Sequence, residues 1–489
     1  MAEEMEKNRA RFTLLELGDA FNKKWRLEYN WQMEGVVTDS RQAQNGNIFF
    51  AIKGEHFDGH KFLSEVARIP KIVAFYDEKT KEPIPQSFAC AVPDTIEALG
   101  QLARYHRQRF EIPVVAVTGS YGKTSTRALI HAALCARFET LTSQANFNNE
   151  IGLPMTLFQL EEKHQVAVLE MGMRGLKQID TLAKIALPTV GVITNIGPQH
   201  IELLETMENI AAAKAELIEN LPADGLAVLA ADSPFIAFLR DKAPCRVVTF
   251  GASEDADYRV CDIKTQDGGN VSFAIEVGSG ATAHFQSGSP QTQRLEEGAS
   301  PAAHNFAIKL PLPGAHNAIN AAAAFAVAHQ LGVLPDAIIV ALATAQLPGA
   351  RMRVIQTETL TLIDDCYNAG PDSMRAALET LRDFPGQGRR VAVLGAMREL
   401  GAHSDEEHRK IGELAGEICD VIVGVGSETQ PMMDAIREGG KCAVFGWSPD
   451  ADGAIPVVLA RLQAGDVVLV KGSRSVGLEV VVEELQNHL

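Results

Sequence analysis

The sequence predicts an α/β protein of three domains: a small α/β N-terminal domain, a central P-loop ATPase-like parallel sheet with a β-rich insertion, and a C-terminal Rossmann-like domain. Three observations carry this. The chain has 489 residues, and domains run roughly 100–200 residues each. From Pro113 to Pro348 short apolar runs alternate with helical patterns, the signature of a doubly wound sheet. After the turn-rich stretch Leu347–Ala350, a natural hinge, the same alternation resumes and continues to the end. The expected domains are 1–110, 111–348 and 349–489.

Each element follows from local pattern. In the first domain, NIFFAIK (47–53) reads as a strand, and a helical stretch, Thr95–Phe110, ends with Arg104, Arg107 and Arg109. In the second, VVAVTG (114–119), VAVLEMG (166–172), VGVITNIG (190–197) and LAVLAAD (226–232) are continuous apolar runs, as buried parallel strands are. Residues 252–310 break the pattern. They are rich in Gly, Ser and Thr, carry β-like pieces such as VSFAIEV (271–277), and read as a β-rich insertion with a mobile tip near Gly288–Ser300. In the third domain, strands are expected at TLIDDCY (361–367), RVAVLGA (390–396), VIVGVG (421–426), CAVFG (442–446) and DVVLVKGS (466–473).

Composition excludes several classes of function. Hydrophobic residues make up 46% and charged residues 22%, an ordinary globular mixture. A formal net charge of −17 repels polyanions, so nucleic acid is not an expected partner. The seven cysteines are scattered, with no CxxC pair and no zinc-ligand spacing, as reduced thiols of a cytoplasmic protein are. The start, MAEEMEKNRARF, is charged and lacks the apolar stretch of a signal peptide. No window reaches the ~20 apolar residues of a membrane span. The expectation is a cytoplasmic monomer that does not insert into membranes.

The strongest chemical signal is TGSYGKTST (118–126), between a buried strand and an amphipathic helix. Successive N–H groups and a helix N-terminus cradle anions. Gly119 and Gly122 let the backbone approach phosphates, while Ser120, Tyr121 and Ser125 complete the loop. Lys123 brings charge to the β/γ oxygens, and Thr124 offers a hydroxyl to Mg²⁺. Val117 stands where the eight-residue Walker pattern has its first glycine, so the motif is the shorter GxxGKT. ATP and Mg²⁺ are the expected cofactors.

A nucleotide loop needs a metal partner. Glu170 ends the strand VAVLE, on the sheet edge where the loop emerges, and can reach Mg²⁺; the alternative is a solvent-facing strand-end glutamate. His200 closes the next strand's loop, TNIGPQH, on the same edge. Lys214 lies on the following helix, Asn209–Asn220, and on pattern alone reads as a solvated lysine.

Taken in order, TGSYGKTST, FNNEIGLP (147–154), LEMGMRG (169–175), TNIGPQHIE (194–202) and AKAE (213–216) resemble the Mur ligase family. PGAHNAINAAAA (313–324), DDCYNAGPDSMRAAL (364–378), VLGAMRELGAHS (393–404) and VLVKGSRSVGLE (469–479) extend the resemblance through the C-terminal domain. TDSR (38–41) and FDGHKF (57–62) extend it through the N-terminal one. Only 252–310 lies outside it.

The resemblance implies an ATP-dependent amide-forming ligase. Its substrates would be UDP-N-acetylmuramoyl-tripeptide, held by residues 1–110, and D-alanyl-D-alanine, brought by residues 349–489. An acyl phosphate would form on the tripeptide carboxylate, and the dipeptide amine would attack it. By the same resemblance Thr124 and Glu170 hold one Mg²⁺ and His200 helps hold a second. Lys214 becomes a candidate for carbamylation, which turns an ammonium into an anionic ligand. Lys123, His200 and Lys214 form the implied catalytic set. Asn317 and Asn320 meet the adenine, or simply cap a helix. Arg351 clamps phosphate and Asp365 contacts the ribose. Ser40, Arg41, Asn146, Asn148 and Asn149 line the substrate. Lys471, Ser473 and Arg474 either contact substrate or cap the next helix.

Three positions depart from the family pattern. Ala396 stands where an acid is usual, Gly370 replaces an asparagine, and Tyr121 replaces an asparagine in the loop, where its N–H is still expected to serve phosphate. Two other readings share the residues. One is a sibling ligase adding a single amino acid, against which the lack of a DNPR-like string counts. The other is a nucleotide-binding scaffold without catalysis, against which intact Lys123, Thr124, Glu170, His200 and Lys214 count.

Overall fold

In a computed structural model, the structure describes residues 8–22, 31–54, 57–84, 89–144, 147–278, 281, 304–440, 442 and 444–488. The Gly288–Ser300 tip and Asn146 lie outside the described residues. The chain forms two compact units: Met1–Ala116 with Phe138–Met173 and Lys177–Thr189, and Val117–Arg137 with Arg174–Leu176 and Val190–Leu489.

The first unit contains a four-stranded parallel sheet, Val36–Val37, Ile48–Phe50, Val73–Asp77 and Ala89–Val92 in that order. The expected strand at 47–53 shortens to Ile48–Phe50, whose three residues are all buried. Helix Thr95–Arg107 begins at Asp94, whose carboxylate accepts the N–H of Ile96 and Glu97, a standard cap. It ends in an anchored arginine. Arg107 is buried, and its guanidinium donates to the carbonyls of Ala186, Phe110 and Ile112. Also in this unit, Thr140–Thr142 and Val166–Glu170 pair in parallel.

In the second unit, Val190–Ile193, Leu226–Ala230 and Arg246–Gly251 run parallel. The first two are wholly apolar and wholly buried, as strands covered on both faces are, while Arg246–Gly251 carries Arg246 and Thr249. The insertion continues this sheet. Tyr258–Thr265 joins the edge strand in parallel, then Val271–Val277 and His304–Leu310 add on as antiparallel neighbours. The described residues of 252–310 are thus β-rich, as expected of them, and extend the sheet edge.

A six-stranded sheet of the same unit runs in the order Arg353–Gln356, Thr361–Asp364, Val467–Lys471, Arg390–Gly395, Val421–Val425, Val444–Ser448. All its pairings are parallel except the first. One expected strand is displaced: CAVFG (442–446) becomes Val444–Ser448, registered Val421↔Val444. Cys442 lies outside it, its thiol directed at the carbonyls of Asp420 and Val444. The α/β class and the parallel sheets expected from the sequence are what the chain forms.

Candidate active site

The glycine loop is held by backbone. Gly119 has φ +152, and a Cβ there would stand 1.9 Å from Thr194 Oγ1. Gly122 has φ +76 and caps helix Lys123–Cys135; a Cβ there would meet Asn320 Oδ1 at 2.9 Å. Only glycine fits either place. Thr194 Oγ1 and Asn195 Nδ2 both donate to the carbonyl of Tyr121, at 2.7 and 2.9 Å. Ser120 Oγ and the Gly197 backbone exchange two hydrogen bonds of 2.8 Å.

Two of the loop's own N–H groups have partners within the chain. The Tyr121 N–H donates to Asn195 Oδ1 at 3.0 Å, and the Ser120 N–H reaches the same oxygen at 3.1 Å. The helix that follows opens with N–H groups that have no intrahelical carbonyl and with the positive end of its dipole. Asn195 stands in TNIGPQH beside the histidine, and its role depends on a loop some 75 residues earlier. The Tyr121 phenol faces inward, and burial, with Asp372 and Glu379 adding charge, pushes its pKa up to about 12.

Lys123 folds back over the loop, its Nζ donating to the carbonyls of Gly119 and Ser120 at 2.7 and 3.2 Å. Thr124 and Ser125 are buried in the first helical turn. Asn317 and Asn320 lie on helix Ala315–Gln330 and are chained by hydrogen bonds. Asn317 Nδ2 donates to Pro313 O, Asn320 Nδ2 to Asn317 Oδ1, and Thr126 Oγ1 to Asn320 Oδ1. Neither amide caps a helix end; Asn320 presses on the glycine loop.

Lys214 corrects the reading as a solvated lysine. It lies on helix Met207–Glu219 with 1% exposure. Burial, with Lys123 as a nearby like charge, drives its pKa well below the ordinary lysine value. Among the described residues it makes no ion pair. A buried amine held neutral is nucleophilic, as a charged surface lysine is not.

His200 has a left-handed backbone, φ 61, and opens the short helix Ile201–Leu204. Its Nδ1 stands 2.5 Å from Glu399 Oε2, and Arg174 lies 3.7 Å from the other oxygen. The hydrogen bond to His200 holds the Glu399 carboxyl below its usual range. Neither Glu399, within VLGAMRELGAHS, nor Asp372 is marked by its local sequence; the Asp372 carboxylate lies over Gly197, where a Cβ would come within 1.9 Å of it. Burial raises its pKa.

At the ends of the six-stranded sheet, Lys471 Nζ meets Asp365 Oδ2 at 2.5 Å and donates to Asn368 O at 2.9 Å, with a side chain only 3% exposed. Ser473 Oγ accepts the Arg398 N–H and donates to Ala369 O. Both polar ends are engaged inside the protein and neither makes a side-chain cap. Arg351 and Arg474 lie over the Tyr367 ring, 3.8 and 5.6 Å from its centroid, and Arg351 also donates to Pro348 O. Ala396 is wholly buried, bonded through its backbone to Val425 and Ser473.

In the first unit, Glu170 is buried at its strand end, where Oε1 accepts Asn148 Nδ2 at 2.9 Å. It is not the solvent-facing glutamate of the alternative. Asn149 Oδ1 accepts the N–H of Ile151 and Gly152, which fixes its local turn. Arg41 is exposed and paired with Asp39 at 2.6 Å, beside Ser40 in a single 3-10 turn.

The model of the Mur ligase middle domain matches residues 117–328, and that of the Mur ligase glutamate ligase domain matches 350–474. A UDP-N-acetylmuramoyl-tripeptide–D-alanyl-D-alanine ligase of Bacillus subtilis is 32% identical, over 93% of this chain and 93% of its own. The Synechocystis enzyme of that name is 35% identical, over 94% and 93%. The crystal structure of MurF from Acinetobacter baumannii superimposes with a TM-score of 0.85 at 30% identity, covering 98% of this chain and 99% of that one. MurF ligase from Thermotoga maritima, solved in complex with ADP, gives 0.78 at 29% identity, over 92% and 96%. Likeness at this identity over nearly the full length, spanning both the glycine loop and the six-stranded sheet, means that the chain belongs to the Mur ligase family.

Proposed function

We propose that this chain joins UDP-N-acetylmuramoyl-tripeptide to D-alanyl-D-alanine through an amide bond, with ATP as the energy source, in the synthesis of peptidoglycan precursors. The observation that carries it is the glycine loop on helix Lys123–Cys135, within a full-length likeness to ligases of that name. A terminal carboxylate oxygen of the tripeptide attacks the γ-phosphorus and ADP leaves. The dipeptide amine then attacks the acyl carbon, loses a proton, and phosphate departs with the original carboxylate oxygen.

Bringing a carboxylate to a triphosphate opposes two anions, so positive charge at the reacting oxygens lowers the barrier. Lys123 supplies part of it on leaving the loop carbonyls. Thr124 and Glu170 would hold one Mg²⁺ and His200 and Lys214 would help hold a second, and such cations would add positive charge. The residues suit such a cation. Glu170 is a buried carboxylate, and the His200 ring lies 2.5 Å from Glu399. Lys214 is a buried amine that makes no ion pair among the described residues, open to attack CO₂ and become a carbamate. Asn317 and Asn320 serve the adenine, Asp365 the ribose and Arg351 the phosphates. Ser40, Arg41, Asn146, Asn148 and Asn149 serve the UDP-tripeptide. The division into 1–110, 111–348 and 349–489, a monomeric state and a cytoplasmic location belong to the same reading. Among the described residues, no helix is long and apolar enough to cross a membrane.

Oxygen tracing tests the chemistry. Tripeptide labelled with ¹⁸O in its terminal carboxylate is expected to deliver one label to the released phosphate. Label retained entirely in the peptide or in water would rule out the acyl phosphate.

A further inference from the structure

Strands Tyr258–Thr265 and Val271–Val277 of the extension are joined by a turn remote from the glycine loop. The turn is closed by the Gln266 N–H on Asn270 O at 2.7 Å and the Gly269 N–H on Gln266 O at 3.0 Å. From Gln266 to Asn270 every residue is exposed except Gly269, which is buried. What covers it is Phe384, itself buried although Arg382 and Asp383 before it are exposed. A Cβ at Gly269 would stand 2.1 Å from Phe384 Cε2 and 2.8 Å from Cζ, at a φ of +85, so the ring lies directly on the glycine backbone. Phe384 closes helix Pro371–Asp383, and its carbonyl accepts the guanidinium of Arg390, the first residue of strand Arg390–Gly395 in the six-stranded sheet. The turn itself stands on a firm base. Tyr258, at the foot of its first strand, is wholly buried; its hydroxyl lies 2.8 Å from His329 Nδ1 and accepts Gln330 Nε2 at 2.7 Å, at the end of helix Ala315–Gln330.

Two more glycines seat the same helix. Thr380 lies over Gly314, the residue before helix Ala315–Gln330, where a Cβ would stand 2.5 Å from its Oγ1, and Asp372 lies over Gly197. Positions 372, 380 and 384 are separated by multiples of four, which keeps them on one side of the helix. We propose that the turn Gln266–Asn270 is a docking surface for Phe384, so that the extension sets where helix Pro371–Asp383 lies and, through it, where Asp372 stands beside the glycine loop. Twelve residues of helix span about 18 Å, so the turn acts from well outside the chemistry. A packed helix moves as one body, and loss of the seat at one end shifts the other. The docking stands on these contacts alone; its effect on rate rests on the ligation proposed above.

Hydrogen exchange of the full chain, read by mass spectrometry, tests the docking. Phe384→Ala is expected to speed amide exchange in the turn Gln266–Asn270, and Gly269→Ala to speed it across helix Pro371–Asp383, each change being read in the segment remote from it. Gly268→Ala is the control: its φ is +76, but its Cβ meets nothing within 4 Å. It strains the same turn and should leave the helix as in wild type. Should Phe384→Ala not fold, Phe384→Leu, a smaller loss, is expected to act in the same direction. In a ligation assay, turnover of Gly269→Ala should fall by up to roughly 100-fold, as a misplacement near 1 Å costs, and Gly268→Ala should retain it. Helix exchange unaltered in Gly269→Ala, or altered equally in Gly268→Ala, would overturn the docking. Altered exchange with unaltered turnover would overturn its effect on rate. Absence of ligation in wild type would overturn the proposed function, while the exchange measurement would still decide the docking.

Discussion

The glycine loop and the strand ends of the six-stranded sheet lie in one compact unit but are built from different materials. At the loop, backbone decides: Gly119 and Gly122 take conformations and approaches closed to any side chain, and Asn195 and Thr194 fasten the loop by its peptide groups. At the sheet end, side chains decide: Lys471 meets Asp365 out of water, Ser473 joins two loops, and Glu399 reaches His200. A site made of backbone is spelled locally in the sequence, because its glycines and its lysine are consecutive. A site made of side-chain pairs is spelled nowhere locally, because its partners meet only after folding.

Substitutions separate the two kinds of construction. The largest effect is expected at the loop. In Gly119→Ala the Cβ falls 1.9 Å from Thr194 Oγ1 at a φ of +152. Loss of nucleotide binding and of about 3–5 kcal/mol in urea unfolding should follow; wild-type nucleotide affinity would break the backbone argument. At the sheet end, Asp365→Ala strands a buried ammonium and should cost about 3–5 kcal/mol without touching a glycine. The double variant Asp365→Asn with Lys471→Met should recover most of that loss, because it removes both charges. Equal losses in the single and double variants would mean that the pair is not what matters.

A pH series sharpens the contrast further. Burial lowers the pKa of His316, beside Asp365 and Lys471, from 6.5 to about 4. Between those values the unfolded chain binds a proton that the folded chain does not, so stability is full above about 6.5 and falls as pH drops toward 4. The expected loss from this group is about 3 kcal/mol at most. His316→Gln should flatten that part of a stability profile. The smallest effect is expected at Gly370, the N-cap of helix Pro371–Asp383, which is extended at φ −149 with open space around its Cα. Gly370→Asn should stabilise by a few tenths of a kcal/mol, as a better cap. A large loss would mean that the glycine serves something else.

Much of the fold was legible. The runs at 114–119, 166–172, 190–197 and 226–232 each became a strand, because continuous apolar residues ending in a turn leave little alternative. CAVFG was misplaced by two residues because an apolar run fixes a strand's presence better than its register. At the site, the glycine loop was legible and the burial of Lys214 was not. Nothing in AKAE says that its helix turns that lysine inward, next to Lys123. Asn195, Asp372 and Glu399 were missed for the same reason: each acts on a residue remote in sequence, and their meaning lies in that partner.

Ligation of D-alanyl-D-alanine to the UDP-tripeptide at the expense of ATP is tested most directly by phosphate release. Purified protein with Mg²⁺, ATP and UDP-N-acetylmuramoyl-tripeptide is assayed with and without D-alanyl-D-alanine, and the product is weighed by mass spectrometry. Release that depends on the dipeptide, with a product heavier by one dipeptide unit and abolished by Lys123→Ala, is the expected result. Release with single amino acids but not with the dipeptide would contradict it, as would activity that survives Lys123→Ala.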